Sequence, residues 1–327
     1  MVTIRNIHPA SSSDWDRLFS VSSVGTFFQS REWSEIWQNY TDGKLRPDPK
    51  RVEFSDGKSA LLPLTYQRRL RGVLRKYWFA PGETYGGWLT EDALEADHAK
   101  ALLEYLTTRH GGLFWKLCPY DPTAPAHGPH LTEYDETHVV PIRDGFDKVR
   151  ARFSKGHRAA IKFAEREGVE VRAAESLADW EGYFEAYQDS LRRWAEHALI
   201  RHDWKLFYGM FQNPSPRVRL WLAEKDGEIL GGSLCFYARN HVVYWHGAAH
   251  ERHFPKRPMH ALIHEILRDA CDKGFEWFDM NPSGPLPGVK AFKKSFGAEA
   301  RPCPNVRVRG GMWSEAARRR TGTDRRL

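Results

Sequence analysis

No apolar run in the chain approaches the roughly 18 to 20 residues that a bilayer-spanning helix needs. The opening Met1-Val2-Thr3-Ile4-Arg5-Asn6 has none of the apolar core of a secretory signal. A cytoplasmic protein without stable membrane insertion is the expectation. Cysteine is scarce, with Cys118, Cys235, Cys271 and Cys303 the four in 327 residues and no C-x-x-C pair among them. That spacing suits reduced, buried thiols and speaks against a disulfide scaffold or a zinc site. His260 and His264 stand at i and i+4, but no H-E-x-x-H pattern surrounds them, so no metal is expected. Charge is absent from most of the chain as well. Of the net +7, residues 67–76 (QRRLRGVLRK) carry +5 and Arg318–Leu327 carry +4, which leaves −2 on everything else. The basicity therefore sits in two short patches able to meet a phosphate-bearing partner, or simply to face water.

What is present is an ordinary globular composition, 41% hydrophobic and 28% charged, with a mean hydropathy of −0.62. This rules out disorder and fibre. The organisation emerges when the halves are compared. Ser13-Asp14-Trp15-Asp16-Arg17-Leu18-Phe19 resembles Ala178-Asp179-Trp180-Glu181-Gly182-Tyr183-Phe184 at an offset of 165, each an acidic cap before an amphipathic helix. Val52–Tyr66 and Leu222–Tyr237 each set Asp-Gly between alternating apolar residues at an offset of 170, which is a hairpin signal. An aromatic strand follows each hairpin, Lys76–Ala80 and Val242–Ala248. Then comes a helix closing on Gly, Glu91–Arg109 and Pro258–Lys273. Last is an apolar strand, Leu113–Pro119 and Phe275–Pro282, at an offset of 162 to 163. The expected fold is α/β with two tandem copies of one unit, mixed and mostly antiparallel sheets flanked by helices. The boundaries are 1–148 and 149–299, with the tail 300–327 packing back on the first copy and the junction falling between Pro141 and Phe153. In this alignment Leu117 stands opposite Asp279, so the chemistry need not be duplicated.

Several segments carry a family resemblance. Gly288-Val289-Lys290-Ala291-Phe292-Lys293-Lys294-Ser295-Phe296-Gly297 resembles a closing G-x-x-x-F-K-x-x-F-G element. The strand ending in Asp279 runs into a Pro-Ser-Gly-Pro loop. Phe27-Phe28-Gln29-Ser30-x-x-Trp33 resembles an N-terminal F-x-Q-x-x-x-W segment, and Ser154–Lys162 resembles a basic helix opening a second domain. In this order they resemble the Fem family, whose fold is two tandem GNAT units. Its members move an amino acid from aminoacyl-tRNA to an amine and form an amide bond. The resemblance implies an acyltransferase with aminoacyl-tRNA as co-substrate, no resident cofactor, and an amine acceptor that is a cell-wall precursor peptide or a small peptidic natural product. Nothing fixes the oligomeric state, and a monomer is the simplest expectation.

Acyl transfer from an ester to an amine needs support for the carbonyl oxygen as it gains charge and a route for the amine proton. By resemblance Lys293 takes the first task and Phe292 positions the acyl or adenosine end. The competing reading makes Lys290, Lys293 and Lys294 one exposed cationic face. Asp279, at the mouth of a buried strand, either meets the amine or caps the turn toward Asn281. Tyr244 and Trp245 are either a substrate wall or core. Lys155 and Arg158 suit a phosphate or an acceptor stem, as do Arg318, Arg319, Arg320, Arg325 and Arg326 for RNA. Lys44, Arg68, Arg69 and Arg71 are nearby candidates for acceptor phosphates. An acyl-CoA-dependent GNAT enzyme is the alternative, although Arg252–Ala261, where a pyrophosphate loop would lie, has no glycine. A non-catalytic module binding RNA or a membrane surface is the second alternative.

Overall fold

The computed structural model describes residues 1–69, 74–108, 112–124, 131–194, 201–284 and 286–308. The chain forms two compact units, Met1–Asp135 with the segment beginning at Pro302, and Glu136–Arg301. The break lies before the Pro141–Phe153 junction expected from sequence, because the strand Glu136–Pro141 pairs inside the second unit.

The first unit opens with β1 (Ile4–Pro9), α1 (Ser12–Val21), a 3₁₀ turn at Phe27–Gln29 and α2 (Arg31–Tyr40). Serines start both helices, Ser11 Oγ accepting from Asp14 N at 3.0 Å and Ser30 Oγ from Trp33 N at 3.1 Å. Then come β2 (Leu45–Pro47), β3 (Lys50–Phe54), β4 (Ser59–Leu62), β5 (Thr65–Arg69), β6 (Leu74–Trp78), β7 (Tyr85–Gly86), α3 (Ala96–Thr108), β8 (Gly112–Leu117) and β9 (Leu131–Glu133). β1, β3 and β4 form a small antiparallel sheet. A second sheet begins β2-β5-β6-β8, with β6 and β8 parallel. Pro63 separates β4 from β5. Lacking an N–H, it cannot continue a ladder on both sides, so β4 pairs with β3 while β5 pairs with β6.

The second unit holds β10 (Glu136–Pro141), α4 (Phe146–Ala151), α5 (Lys155–Arg166), β11 (Glu170–Ala173), α6 (Leu177–Trp194), α7 (Trp204–Gln212), β12 (Val218–Lys225), β13 (Glu228–Ala238), β14 (His241–Ala249), α8 (Pro258–Asp272), β15 (Trp277–Asp279), α9 (Pro287–Lys294) and β16 (Glu299–Pro302). Among the described residues its sheet runs β11-β12-β13-β14-β15-β10-β16, with β14 and β15 parallel. The Asp226-Gly227 turn expected between β12 and β13 is there, both residues at positive φ. Here no proline interrupts, and β13 runs unbroken. The apolar stripe of α8 (Leu262, Ile263, Ile266, Leu267, Ala270) is buried against Trp221, Cys235, Val242 and Phe278, each large side chain worth roughly 1.5–3 kcal/mol relative to exposure. The chain then returns to the first unit, where β17 (Asn305–Val308) pairs with β8 and β9.

The ladders set the repeat in register. Lys76, Tyr77 and Trp78 pair with Gly112, Leu113 and Phe114, as His241, Val242 and Val243 pair with Trp277, Phe278 and Asp279. Both strands are offset by 165, and the residue at the place of Asp279 is Phe114 rather than Leu117.

Candidate active site of the second unit

β15 ends on Asp279, which is fully buried. Its Oδ1 accepts from Thr137 Oγ1 at 2.5 Å and from Asn281 N at 2.8 Å, so the turn-capping role weighed from sequence is real. Asn281 adopts φ +61, the left-handed region that asparagine tolerates better than most residues. In that conformation its Nδ2 donates to the Trp245 carbonyl at 3.2 Å, while its own carbonyl accepts from Lys293 Nζ at 2.6 Å. Lys293 is 4% exposed, which separates it from any exposed cationic face. Lys294 is exposed, and Lys290 is half-buried against Glu136 at 3.1 Å, fastening α9 to β10. A lysine is rarely buried at this level without a partner, and Lys293 reaches its partner through a turn that begins at Asp279.

β10 brings two residues that sequence reasoning missed. Thr137 holds Asp279, and His138, wholly buried, has neither ring nitrogen hydrogen-bonded. Burial, then the neighbouring charge of Lys293, lower its affinity for a proton, so it stays neutral. Nothing in Glu136–Pro141 read alone signals this. The strand reaches the site by pairing with β15 from far along the sequence.

Phe292 packs on the rings of His157 and His260, each at 5.1 Å, and of Phe296 at 5.3 Å. Burial, then His157 and Arg257, hold His260 down at about 4. His260 and His264 are thus ring-packing residues, His264 standing against Phe146 at 5.1 Å. Among the described residues no three side chains of metal-ligand type converge.

Tyr244 and Trp245 are built into the core rather than forming an open wall. The partners along β14 jump from His246 to Tyr244, so Trp245 is the extra residue of a β-bulge. Its ring lies against Phe236 at 5.4 Å and His202 at 5.1 Å, and its carbonyl serves Asn281. A Cβ at Gly247 would fall 1.7 Å from Tyr244 Oη, so glycine there admits the tyrosine, whose phenol burial pushes up. Beside it, His246 is bonded to Tyr183 Oη. Burial, followed by His202, holds its imidazole at about 3, and burial holds His202 at about 4.

The cationic candidates are not gathered here. Arg158 turns back to the carbonyls of Ala151 and Phe153, closing the segment after α4, while Lys155 is exposed. Lys44, Arg68 and Arg69 are exposed in the first unit. Arg71 and Arg318, Arg319, Arg320, Arg325 and Arg326 lie outside the described residues. In place of a glycine loop before α8, residues Glu251–Lys256 form a 3₁₀ turn. Arg257 follows at φ +60, and Pro258 opens the helix.

Fold and site together define a tandem GNAT architecture, and residues 150–294 match the family described as the acetyltransferase (GNAT) domain. The second unit is a GNAT acyltransferase domain. The full chain is similar in fold to the crystal structure of FemX, at TM-score 0.73 and 12% identity over 95% of this chain and 99% of that one. The likeness to the Fem family read from the sequence is thereby met again in the architecture. L-PGS from Bacillus licheniformis follows at TM-score 0.53 and 13% identity, over 89% and 94%. The C-terminal domain of a putative lysylphosphatidylglycerol synthetase from Agrobacterium fabrum has TM-score 0.53 and 12% identity, over 94% and 95%. No curated protein sequence matches the chain. No helix among the described residues is long and apolar enough to cross a membrane.

Proposed function

We propose that the second unit transfers an amino acid from aminoacyl-tRNA to an amine, the acceptor being a cell-wall precursor peptide or a small peptidic natural product. The observation that carries this reading is the buried Lys293 ammonium held on the Asn281 carbonyl at the mouth of β15, next to the bulge at Trp245. As the amine nitrogen bonds to the ester carbon, the carbonyl oxygen becomes an oxyanion, and a fixed ammonium in a water-poor site lowers that barrier. The bond to the ribose 3′-oxygen then breaks. The nitrogen gives up a proton and the leaving oxygen takes one, a balance the substrate's own vicinal hydroxyl can relay without a side-chain base. Asp279 acts through the turn, fixing Asn281 and so the place of Lys293.

An aminoacyl donor is favoured over acyl-CoA by the 3₁₀ turn and the side chains at Arg252–Arg257, where close approach of a pyrophosphate would call for glycine. The fold shared with a lysylphosphatidylglycerol synthetase points the same way. Incubation with charged tRNA and a mixed pool of amines, with and without RNase, tests the reading. RNase-sensitive loss of label from tRNA supports it. RNase-insensitive transfer, or transfer from acetyl-CoA alone, assigns the acyl-CoA chemistry, and RNA binding without turnover leaves a non-catalytic module.

A further inference from the structure

The F-x-Q-S-x-x-W segment plays no part in the Lys293 site, and its place in the first unit indicates a separate use. Gln29 is fully buried at the end of the 3₁₀ turn. Phe28 packs on Trp33 at 5.4 Å and on Tyr85 at 5.6 Å, which holds the turn beside the Tyr85-Gly86-Gly87 strand, and Trp15 Nε1 donates to the Gln29 carbonyl at 2.8 Å. The side-chain amide is fixed as well, since Gln29 Oε1 accepts from Thr26 N at 2.8 Å and from Thr26 Oγ1 at 3.2 Å. With the oxygen so committed the amide cannot flip, and Nε2 is a buried donor with no hydrogen-bond partner. A fixed, buried, unmatched donor in a native fold calls for an explanation.

Where it points supplies one. A Cβ built on Gly87, at φ +156, would lie 3.7 Å from Gln29 Nε2 and 3.9 Å from Asp121 Oδ2. Asp121 is 8% exposed. Its Oδ1 accepts from Thr123 N at 2.8 Å and Thr123 Oγ1 at 2.7 Å, leaving Oδ2 turned to the same point. Glycine thus keeps open a cradle with a donor on one side and an acceptor on the other. We propose that Gln29, Gly87 and Asp121 form a binding site for a neutral amide group, a peptide bond or primary carboxamide. Its carbonyl oxygen accepts from Gln29 Nε2, and its N–H donates to Asp121 Oδ2. Burial raises the Asp121 carboxyl against its bonds to Thr123, which favours a neutral N–H over an ammonium ion as the partner. The site is independent of Lys293 and of the transferase reading.

The ¹⁵N-labelled full chain is titrated with N-methylacetamide, methyl acetate, acetate and methylammonium, following the Gln29 side-chain amide resonances. N-methylacetamide should give a saturable shift and bind about tenfold tighter than methyl acetate, the size expected for one lost buried hydrogen bond. Asp121→Asn makes both arms donors and should turn the preference toward acetate. Gln29→Glu keeps the oxygen that accepts from Thr26, removes the donor, and should turn it toward methylammonium. Gly87→Ala should abolish all four responses. Equal binding of amide and ester, no saturable shift, or an unchanged order of preference in a folded Asp121→Asn protein would overturn the proposal.

Discussion

The two units share one parallel ladder and finish it differently. In the first, the last rung is Trp78 against Phe114, and the apolar core continues beyond it. Phe79 stacks on Trp115 at 4.0 Å, and Trp115 Nε1 donates to the Gly86 carbonyl at 2.8 Å. In the second, the last rung is Val243 against Asp279. A carboxylate at that depth needs donors, and it obtains them from Thr137 on β10 and from the main chain of Asn281. The turn those bonds fix is the one that carries Lys293. A repeat therefore reproduces the scaffold without reproducing the chemistry, because one residue at the strand end decides whether a polar turn or a packed core follows.

That contrast can be broken from either side. Phe114→Asp gives the first unit the acid without its donors and should cost roughly 4 kcal/mol or more of stability, the lost packing adding to an unpaired buried charge. Denaturant unfolding checks this, and a loss under about 1 kcal/mol would show that the first unit tolerates a polar turn there. Lys293→Met should lower turnover about 10²- to 10³-fold with RNA affinity and melting temperature close to wild type. Turnover like that of the wild type would remove Lys293 from the chemistry.

Thr137→Val withdraws one donor from Asp279 and should cost about 1–3 kcal/mol while lowering turnover less than Lys293→Met does. A purely structural threonine would alter stability alone.

Acid should act on the second unit through His202, His246 and His260. Their imidazoles fall from about 6.5 in an unfolded chain to about 4, 3 and 4 in the fold. The unfolded chain then takes up these protons first, so stability present above pH 6.5 or so drains away as the pH falls toward about 4. His260→Phe should flatten that decline in urea midpoints measured across the range, and an unaltered slope would exclude His260 as a contributor. The smallest effect is expected from deleting Arg318–Leu327, which should weaken tRNA use and lessen its dependence on salt. Equal salt slopes with and without the tail would make it ordinary surface.

The repeat was legible because its signals are local. Asp-Gly hairpins, the stripe of α8 and the helix-closing glycines are all set by residues a few positions apart. Lys293 was visible through the Phe-Lys motif, but its depth was not, since three lysines on one short helix look alike until the turn at Asn281 is placed. Thr137 and His138 were hidden because β10 joins β15 across more than half the second unit's sequence. The junction was misplaced for the same reason. Pro63, by contrast, could be read locally as a break, but not that the break parts one sheet into two. In the first unit, the F-x-Q motif was seen without its partners, because Gly87 and Asp121 meet Gln29 only through tertiary packing.

The return of the chain at β17 has a consequence for biogenesis. That strand lies between β8 and β9 in the first unit's sheet, yet it is translated after the whole of the second unit. On the ribosome, where domains generally fold as they emerge, the first unit waits with the edge of β8 uncovered while Glu136–Arg301 is made. The nested unit is thus positioned to finish first, and the outer one closes only when the last strand arrives.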